Sequence, residues 1–236
     1  MGKHFEVGKE LPVDATPEQV WAAIATGPGT DSWFMGRTAL EPGLGGAVRM
    51  EFGGYAEESR VVAWEPFERF AHRTEAGDDG RFVAYEFIIE GRDGGSTVMR
   101  TVTSGFLPGD DWAGEFEAMG HGFELFFRTL VEYVTHFAGR TATPLSVFGP
   151  PMTGWEPLHA ELGLSDSPAV GDKVTALGPD AVVYFTDAHA LGVRTGDALY
   201  RFMWGFGGPV IASHHLFGEA ETAAYWQAWL DRVYAG

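Results

Sequence analysis

Residues 109–139 read GDDWAGEFEAMGHGFELFFRTLVEYVTHFAG. Apolar side chains recur through this stretch at alternating spacings of about three and four, which is the periodicity of one face of an α-helix. A helix with such a face needs an apolar surface to pack on, so the pattern predicts one long helix laid against a sheet. The residues that share this face are Trp112, Phe116, Met119, Phe123, Phe126, Leu130, Val134 and Phe137.

The chain before this helix predicts a strand, a capped helix and a meander of short strands. Residues 4–11 alternate as a strand does, and Thr16 followed by Pro17 predicts a helix at 16–25, which Gly27-Pro28-Gly29 ends. Residues 31–35 then form a short second helix or a turn. A meander followed by one long helix is an α+β layout. The predicted strands of the meander are 47–52, 55–64, 67–73, 81–90 and 96–104.

The segment 141–154 is rich in Pro, Thr and Gly and predicts a linker between a unit at 1–140 and a second unit at 155–236. Hairpins followed by a terminal helix occur in both units, so the second is expected to be a shorter copy of similar layout, with truncation as one explanation for its length. Trp155 and Trp204 are candidates for an interface between the units. The predicted elements of the second unit are a helix at 155–162, strands at 172–177, 181–186, 190–194, 198–204 and 210–217, and a closing helix at 219–234.

Composition excludes several classes of function. The 236 residues carry a formal net charge of −17, which argues against binding to nucleic acid or to an anionic membrane surface. The absence of cysteine excludes disulfides, thiolate nucleophiles and sulfur ligands for metals. No apolar run approaches the roughly 20 residues that span a bilayer. Residues 1–9 lack the apolar core of a signal peptide, so a cytoplasmic location is expected.

A curved sheet beneath a long helix predicts a cavity, and large aromatic and methionine side chains are the usual lining of a site for an apolar small molecule. A core filled by these same side chains is the alternative interpretation. The candidate ligand-binding residues are Trp33, Phe34, Met35, Met50, Phe52, Tyr55, Phe70, His72, Tyr85, Phe87, Met99, Trp112, Phe116, Met119 and Phe123.

Polar candidates for chemistry are few. His72, Tyr85 and His121 are the ionisable residues nearest the predicted cavity, but His121 lies two residues from both Met119 and Phe123 and is expected to point away from the apolar face. The sequence contains no recognisable motif for a catalytic nucleophile and no phosphate-binding loop. We therefore predict no catalytic residue and no cofactor.

A second group of histidines, His214 and His215 with His189 and Asp187 on a neighbouring strand, raises the question of a metal site. Adjacent residues on a strand face opposite sides of the sheet, so His214 and His215 cannot share one ion without a bulge. The spacing matches no established ligand pattern, and no metal site is predicted.

Five segments of the chain carry a resemblance to a known family: ATPEQVW at 15–21, Trp33-Phe34, EPGLGG at 41–46, VAWEP at 62–66 and VTSGF at 102–106. Together they resemble the SRPBCC superfamily, and more closely its branch related to the C-terminal domain of the activator of Hsp90 ATPase. The resemblance implies a helix-grip fold, in which an antiparallel sheet wraps around the long C-terminal helix and encloses a hydrophobic cavity. Two departures are Gly120-His121-Gly122-Phe123, where relatives typically show Gly-Trp, and the length of chain after Thr141.

The resemblance implies that the protein binds a hydrophobic small molecule, such as a lipid or a polyketide, in this cavity. One alternative is a cyclase or aromatase-like enzyme in which His72, Tyr85 or His121 moves protons on a bound polyketide. Another is a chaperone-interacting protein similar to the Hsp90 activator. Because no catalytic motif is present, a binder is favoured over an enzyme. Assembly as a homodimer stays open.

Overall fold

The first sheet of the computed structural model contains seven antiparallel strands. The structure describes residues 2–92, 96–109, 112–205, 207–219 and 221–235, and among the side chains of 112–119 it describes that of Phe116 alone. The strand order is β1-β7-β6-β5-β4-β3-β2, so the first strand pairs with the last. The strands are β1 Lys3–Val13, β2 Arg37–Leu40, β3 Ala47–Phe52, β4 Tyr55–Glu65, β5 Arg69–Thr74, β6 Phe82–Gly91 and β7 Thr97–Leu107.

Two short helices connect β1 to β2. Helix α1, Pro17–Ile24, is capped as predicted, and its cap is a capping box between Thr16 and Gln19. The prediction that Gly27-Pro28-Gly29 only ends this helix is wrong, because Thr26 caps a second helix, α2 Gly27–Thr30, and residues 31–33 form a turn. A side chain at Gly29 would overlap the carbonyl oxygen of Ala22, so glycine permits the close approach of the two helices.

The long helix, α3 Trp112–His136, lies between two sheets rather than on one. Besides the predicted apolar face, its residues Leu125, Phe127 and Tyr133 are also buried. A helix that is apolar on several sides is typically buried on several sides. Thr129 hydrogen-bonds to Tyr184 of the second sheet at 2.9 Å. Among the described residues, no helix is both long enough and apolar enough to cross a membrane.

The second sheet has five antiparallel strands in the order β8-β12-β11-β10-β9. Its first strand, β8, lies inside the predicted linker 141–154, so that part of the prediction is wrong. Residues 172–177 were predicted as a strand, but Thr175–Leu177 form a single 3-10 turn. The elements are β8 Thr143–Pro151, α4 Glu156–Leu162, β9 Val182–Thr186, β10 Ala190–Arg194, β11 Ala198–Trp204, β12 Pro209–Leu216 and α5 Ala223–Val233.

Both faces of the second sheet are covered, which explains why its strands are buried almost continuously. On β11, Leu199 and Arg201 face α3 and the first unit, whereas Tyr200 and Phe202 face Trp226 of α5. The predicted α+β helix-grip architecture, with a sheet and terminal helix repeated in a shorter form, is confirmed. The division of the chain near residue 140 stays a prediction.

Candidate ligand cavity

A cavity lies between the first sheet and α3, at the position that the sequence predicts. Its volume is about 30 Å³. That space holds one or two water molecules, whereas sites for drug-sized ligands measure roughly 300–1,000 Å³. Aromatic side chains therefore occupy most of the space between the sheet and the helix. The lining residues are Ile24, Thr30, Trp33, Phe34, Thr38, Leu40, Val48, Met50, Glu57, Ser59, Phe70, His72, Tyr85, Phe87, Phe123, Phe126 and Phe127.

The structure brings together about half of the residues predicted to bind a ligand. They come from the turn after α2, from β3, β5 and β6, and from α3. Strand alternation places the strand residues on the concave face, since each is separated from the next by an even number of positions within its strand. The predicted residues that line the cavity are Trp33, Phe34, Met50, Phe70, His72, Tyr85, Phe87 and Phe123.

Four other predicted residues lie elsewhere. Phe52 and Tyr55 flank the β3–β4 turn and line an outer groove, because the hairpin extends beyond the helix. Met99 is fully buried in the core on β7, and Phe116 packs on Phe5 with ring centroids 5.5 Å apart. The spacing along each strand or helix gave the pattern on which these four residues were predicted. Each of them lies too far along its strand or helix to reach the cavity.

The remaining three predictions concern the entrance and the start of α3. Met35 packs half-buried against the first core without lining the cavity. The side chains of Trp112 and Met119 lie outside the described residues.

Sequence reasoning missed the polar wall of the cavity. Glu57 and Ser59 follow Tyr55 at period two on β4, so strand alternation could have placed them on the inner face. Thr38 lies on β2, the strand that was not predicted. Phe127 follows Phe123 by one helical turn and was overlooked because it lies beside the apolar stripe rather than within it.

His72 is held in this wall by its neighbours on two sides. Its Nδ1 lies 2.8 Å from Ser59 Oγ, and its ring stacks on Tyr85 with centroids 5.1 Å apart. Burial lowers the pKa of His72 to about 4, so the imidazole is neutral near pH 7. With Nδ1 engaged, Nε2 has no hydrogen-bond partner among the described residues.

Two hydroxyl groups of the wall also lack partners. The Oγ1 of Thr38 is buried and makes no hydrogen bond with any described residue. Tyr85 makes ring contacts to His72, Phe34 and Phe123, but its hydroxyl has no hydrogen-bond partner in the described part of the chain. Burial, followed by the charge of Glu57, raises the pKa of Tyr85, which keeps the phenol protonated. An aromatic cavity thus contains three polar groups with unused hydrogen-bonding capacity.

The turn that carries Trp33 and Phe34 closes one side of the cavity. The Trp33 indole donates to Ala23 O at 3.0 Å, and the Phe34 ring contacts both Tyr85 and Phe126 edge-on. Phe34 is half-buried and lines the cavity, so part of its side chain faces solvent and part faces the cavity.

Arg201 on β11 of the second sheet hydrogen-bonds to the backbone of this turn. The guanidinium of Arg201, which is 0% exposed, donates to the carbonyl oxygens of Trp33 at 2.9 Å and Phe34 at 2.8 Å. It also donates to Ser213 O and Ser213 Oγ and lies 5.2 Å from the centroid of Phe126. Burial lowers its pKa to about 10, which still leaves it charged at neutral pH.

The predicted histidine group does not assemble. His214 and His215 are buried, with Nδ1 of His214 accepting from Arg201 N and Nδ1 of His215 lying 2.8 Å from Asp31 O. Asp187 and His189 lie instead beside His121, whose Nδ1 is 3.6 Å from Asp187 Oδ2. In the described residues, no group of three or more potential ligands is arranged to hold a metal ion.

Comparison with protein families gives one match. Residues 4–136 match the family described as "Polyketide cyclase / dehydrase and lipid transport". This span contains the first sheet, α3 and every residue of the cavity. No curated protein matches the chain.

Among solved structures, the chain is similar to a protein from Mesorhizobium loti at 22% identity, over 54% of this chain and 95% of that one, with a TM-score of 0.48. It is similar to an Aha1 protein from Colwellia psychrerythraea, solved as a dimer, at 16% identity, over 55% of this chain and 96% of that one, with a TM-score of 0.45. It is also similar to the di-domain ARO/CYC BexL from the BE-7585A biosynthetic pathway at 12% identity, over 98% of this chain and 94% of that one, with a TM-score of 0.49.

Proposed function

Because the chain belongs to the polyketide cyclase / dehydrase and lipid transport family, we propose that it binds a hydrophobic small molecule between the first sheet and α3. The observation that carries this proposal is the polar wall in an otherwise aromatic cavity. Buried polar groups normally have hydrogen-bond partners, and an exception calls for an explanation. Thr38 Oγ1 is a buried group of this kind, and a ligand with an oxygen function supplies its partner and also reaches His72 Nε2 and the Tyr85 hydroxyl.

The proposed ligand is therefore flat and largely apolar, with at least one hydroxyl or carbonyl group, as in a polyketide or an oxygenated lipid. Its apolar part replaces the aromatic contacts that now fill the cavity. Burial of that part contributes about 25 cal/mol per Å² before ordering costs are subtracted.

Entry requires Phe34 to move, because this side chain occupies the space between Tyr85 and Phe126. Its ring contacts are edge-on pairs of about 1 kcal/mol each, which a bound ligand is able to replace. The neighbouring Trp33 is anchored by its indole hydrogen bond and stays in place.

The direct experiment is native mass spectrometry of the protein purified from its native source, followed by denaturing extraction. We expect a discrete adduct of an apolar, oxygen-containing molecule. An empty protein that also fails to bind 2-naphthol, with or without Phe34→Ala, contradicts the proposal.

A matched pair of threonine variants separates binding from stability. Thr38→Val removes an unpartnered buried hydroxyl, so we expect the free energy of unfolding to rise by about 1 kcal/mol. Thr101→Val removes another unpartnered hydroxyl outside the cavity lining and is expected to stabilise similarly.

Only Thr38→Val should weaken binding of 2-naphthol, by about three- to tenfold, while naphthalene binds unchanged. Urea unfolding and calorimetric titration in the Phe34→Ala background measure both effects, and equal losses in the two variants would count against a ligand contact at Thr38.

Proton transfer on the bound molecule is a second candidate function, favoured by the 5.1 Å stacking of His72 and Tyr85 in the cavity wall. The neutral imidazole has a free lone pair that is able to accept a proton, although burial makes it a weaker base than free imidazole, and a protonated phenol is able to donate a hydrogen bond to the developing enolate oxygen. His72 Nε2 would take the proton from the carbon next to a ketone and return it to the same or a different atom.

Deuterium exchange at that carbon tests this second function without knowledge of the natural substrate. We expect the protein to accelerate exchange of 2-tetralone in D2O, and His72→Gln to reduce the acceleration by at least about 100-fold while binding changes less than threefold. His4→Gln, an exposed site on β1, is the control. Exchange that is equal in the wild type and the His72→Gln variant leaves simple binding as the function.

A further inference from the structure

An open groove of about 590 Å³ lies in the second unit, far larger than the closed cavity of the first. It is formed where the start of α4, the β9–β10 turn and the end of β11 meet. Its volume falls within the usual range for small-molecule sites. The lining residues are Thr153, Gly154, Trp155, Glu156, His159, Asp166, Ser167, Pro168, Thr186, Asp187 and Trp204.

Two tryptophans form aromatic walls of this groove. The Trp155 indole donates to Ala188 O at 2.9 Å and stacks on His159 with an interplanar angle of 18°, so its ring orientation is fixed. Trp204 is 40% exposed, and its backbone N–H is bound to His189 O. A tryptophan as exposed as Trp204 is unusual outside binding sites, because tryptophan is highly buried on average.

The charged groups of the lining are all acidic. They are Glu156, Asp166 and Asp187, and the lining contains neither lysine nor arginine among the described residues. The Oδ1 of Asp187 accepts from the N–H groups of His189 and Ala190, both at 2.7 Å, which fixes the carboxylate in its turn. The net charge of −17 adds a field that concentrates cations near the surface.

The His159 ring, which hydrogen-bonds to the backbone of Asp166 and stacks on Trp155, adds a buried polar atom to the wall of the groove. The side chain lines the groove but is only 6% exposed, and its Nδ1 has no hydrogen-bond partner among the described residues. A polar atom left in this state is rare in folded proteins.

We propose that this groove is a second ligand site, selective for an organic cation such as a protonated or quaternary amine. The ammonium group lies against the Trp155 and Trp204 rings, where the electron-rich faces attract it. The carboxylates of Glu156, Asp166 and Asp187 balance its charge. The site is separate from the cavity beneath α3 and does not depend on the function proposed for that cavity.

The competing occupant of such a groove is a neutral sugar, since tryptophan and carboxylates also bind sugars. Charge distinguishes the two classes. The donors that the lining offers to the oxygen atoms of a sugar are the Trp204 indole, the His159 ring, and hydroxyl and backbone groups, and none of them belongs to a lysine or an arginine, whereas every carboxylate attracts a cation.

Choline and its uncharged isostere 3,3-dimethyl-1-butanol test the proposal on the full-length protein. We expect choline to shift the indole N–H resonances of Trp155 and Trp204 saturably, with an affinity at least about fivefold above that of the isostere. Trp204→Leu should weaken choline binding by about two- to thirtyfold. The double variant Glu156→Gln/Asp166→Asn should weaken it several-fold and reduce its sensitivity to salt.

Two exposed positions in the same unit serve as matched controls. Tyr225→Leu removes an exposed aromatic ring, and Glu219→Gln removes an exposed charge, each outside the groove. Neither should change choline binding. Equal affinity for choline and the isostere, saturation by glucose in place of choline, or unchanged choline binding in Trp204→Leu would each overturn the proposal.

Discussion

Replacing Arg201 with methionine is expected to lower the free energy of unfolding by at least about 3 kcal/mol. The substitution removes hydrogen bonds to the carbonyl oxygens of Trp33, Phe34 and Ser213 and leaves these groups buried without their donor. Each such orphaned acceptor costs about 1–3 kcal/mol. Removal of a buried charge offsets part of this loss, because the lowered pKa of Arg201, about 10, shows that burial disfavours the cation. Three orphaned carbonyls outweigh that relief.

Urea unfolding of Arg201→Met measures the effect, and Arg128→Met is the control. Arg128 lies on the exposed face of α3 and, among the described residues, forms an ion pair with Glu124, so its loss should change stability by less than about 0.5 kcal/mol. Arg201→Lys retains the charge but cannot reproduce the planar set of donors, and it should also destabilise. If Arg201→Met is as stable as the wild type, the two units are not held together by this residue.

A steep loss of stability between pH 6.5 and pH 4 is the second large effect that the structure predicts. Burial lowers the pKa of His72 to about 4, that of His214 to about 3 and that of His215 well below its ordinary value. In the unfolded chain each imidazole binds a proton near pH 6.5, whereas in the folded protein it stays neutral. The unfolded state therefore binds more protons in this window, so stability falls as the pH falls.

The size of this effect follows from the number of protons. Each such histidine contributes up to about 1.4 kcal/mol per pH unit, so three of them lower the free energy of unfolding by about 2–4 kcal/mol between pH 6 and pH 5. Burial of His136 and His159 lowers their pKa values as well and acts in the same direction.

Urea unfolding at pH 7, 6 and 5 tests this prediction on the wild type and on His72→Gln. The free energy of unfolding of His72→Gln should fall by up to about 1.4 kcal/mol less per pH unit than that of the wild type, because one histidine fewer takes up a proton on unfolding. His4→Gln, at an exposed position, should follow the wild type. A wild-type free energy of unfolding that stays constant from pH 7 to pH 5 would contradict the prediction, because the histidines would then take up protons in the folded protein as readily as in the unfolded chain.

Local patterns in the sequence were sufficient for the elements with regular periodicity. Helix α3, strands β3, β10 and β11 and the capped start of α1 follow from spacing over a few residues, because the side chains that define them are neighbours along one element. The same reasoning missed β2 and misread the Gly-Pro-Gly segment, because four-residue elements carry too few side chains to show a period.

About half of the predicted cavity residues line the cavity, because the periodicity of a sequence gives the face of an element but not the position along it. Alternation shows which face of a strand a residue occupies, but not how far along the strand the helix crosses. Met99 and Phe52 were therefore predicted from their large apolar side chains but lie outside the lining. Glu57, Ser59 and Thr38 line the cavity but are polar, so the apolar pattern did not identify them.

The α+β class, the long helix and the cavity beneath it are properties of the pattern of residues along the chain. The burial of α3 between two sheets, the polar wall around His72, the hold of Arg201 on the Trp33–Phe34 turn and the groove at Trp204 depend on contacts between residues that are distant in sequence. Arg201 and Trp33 are separated by 168 positions. No local period records such a contact, since it exists only after the two sheets have packed on opposite sides of the same helix.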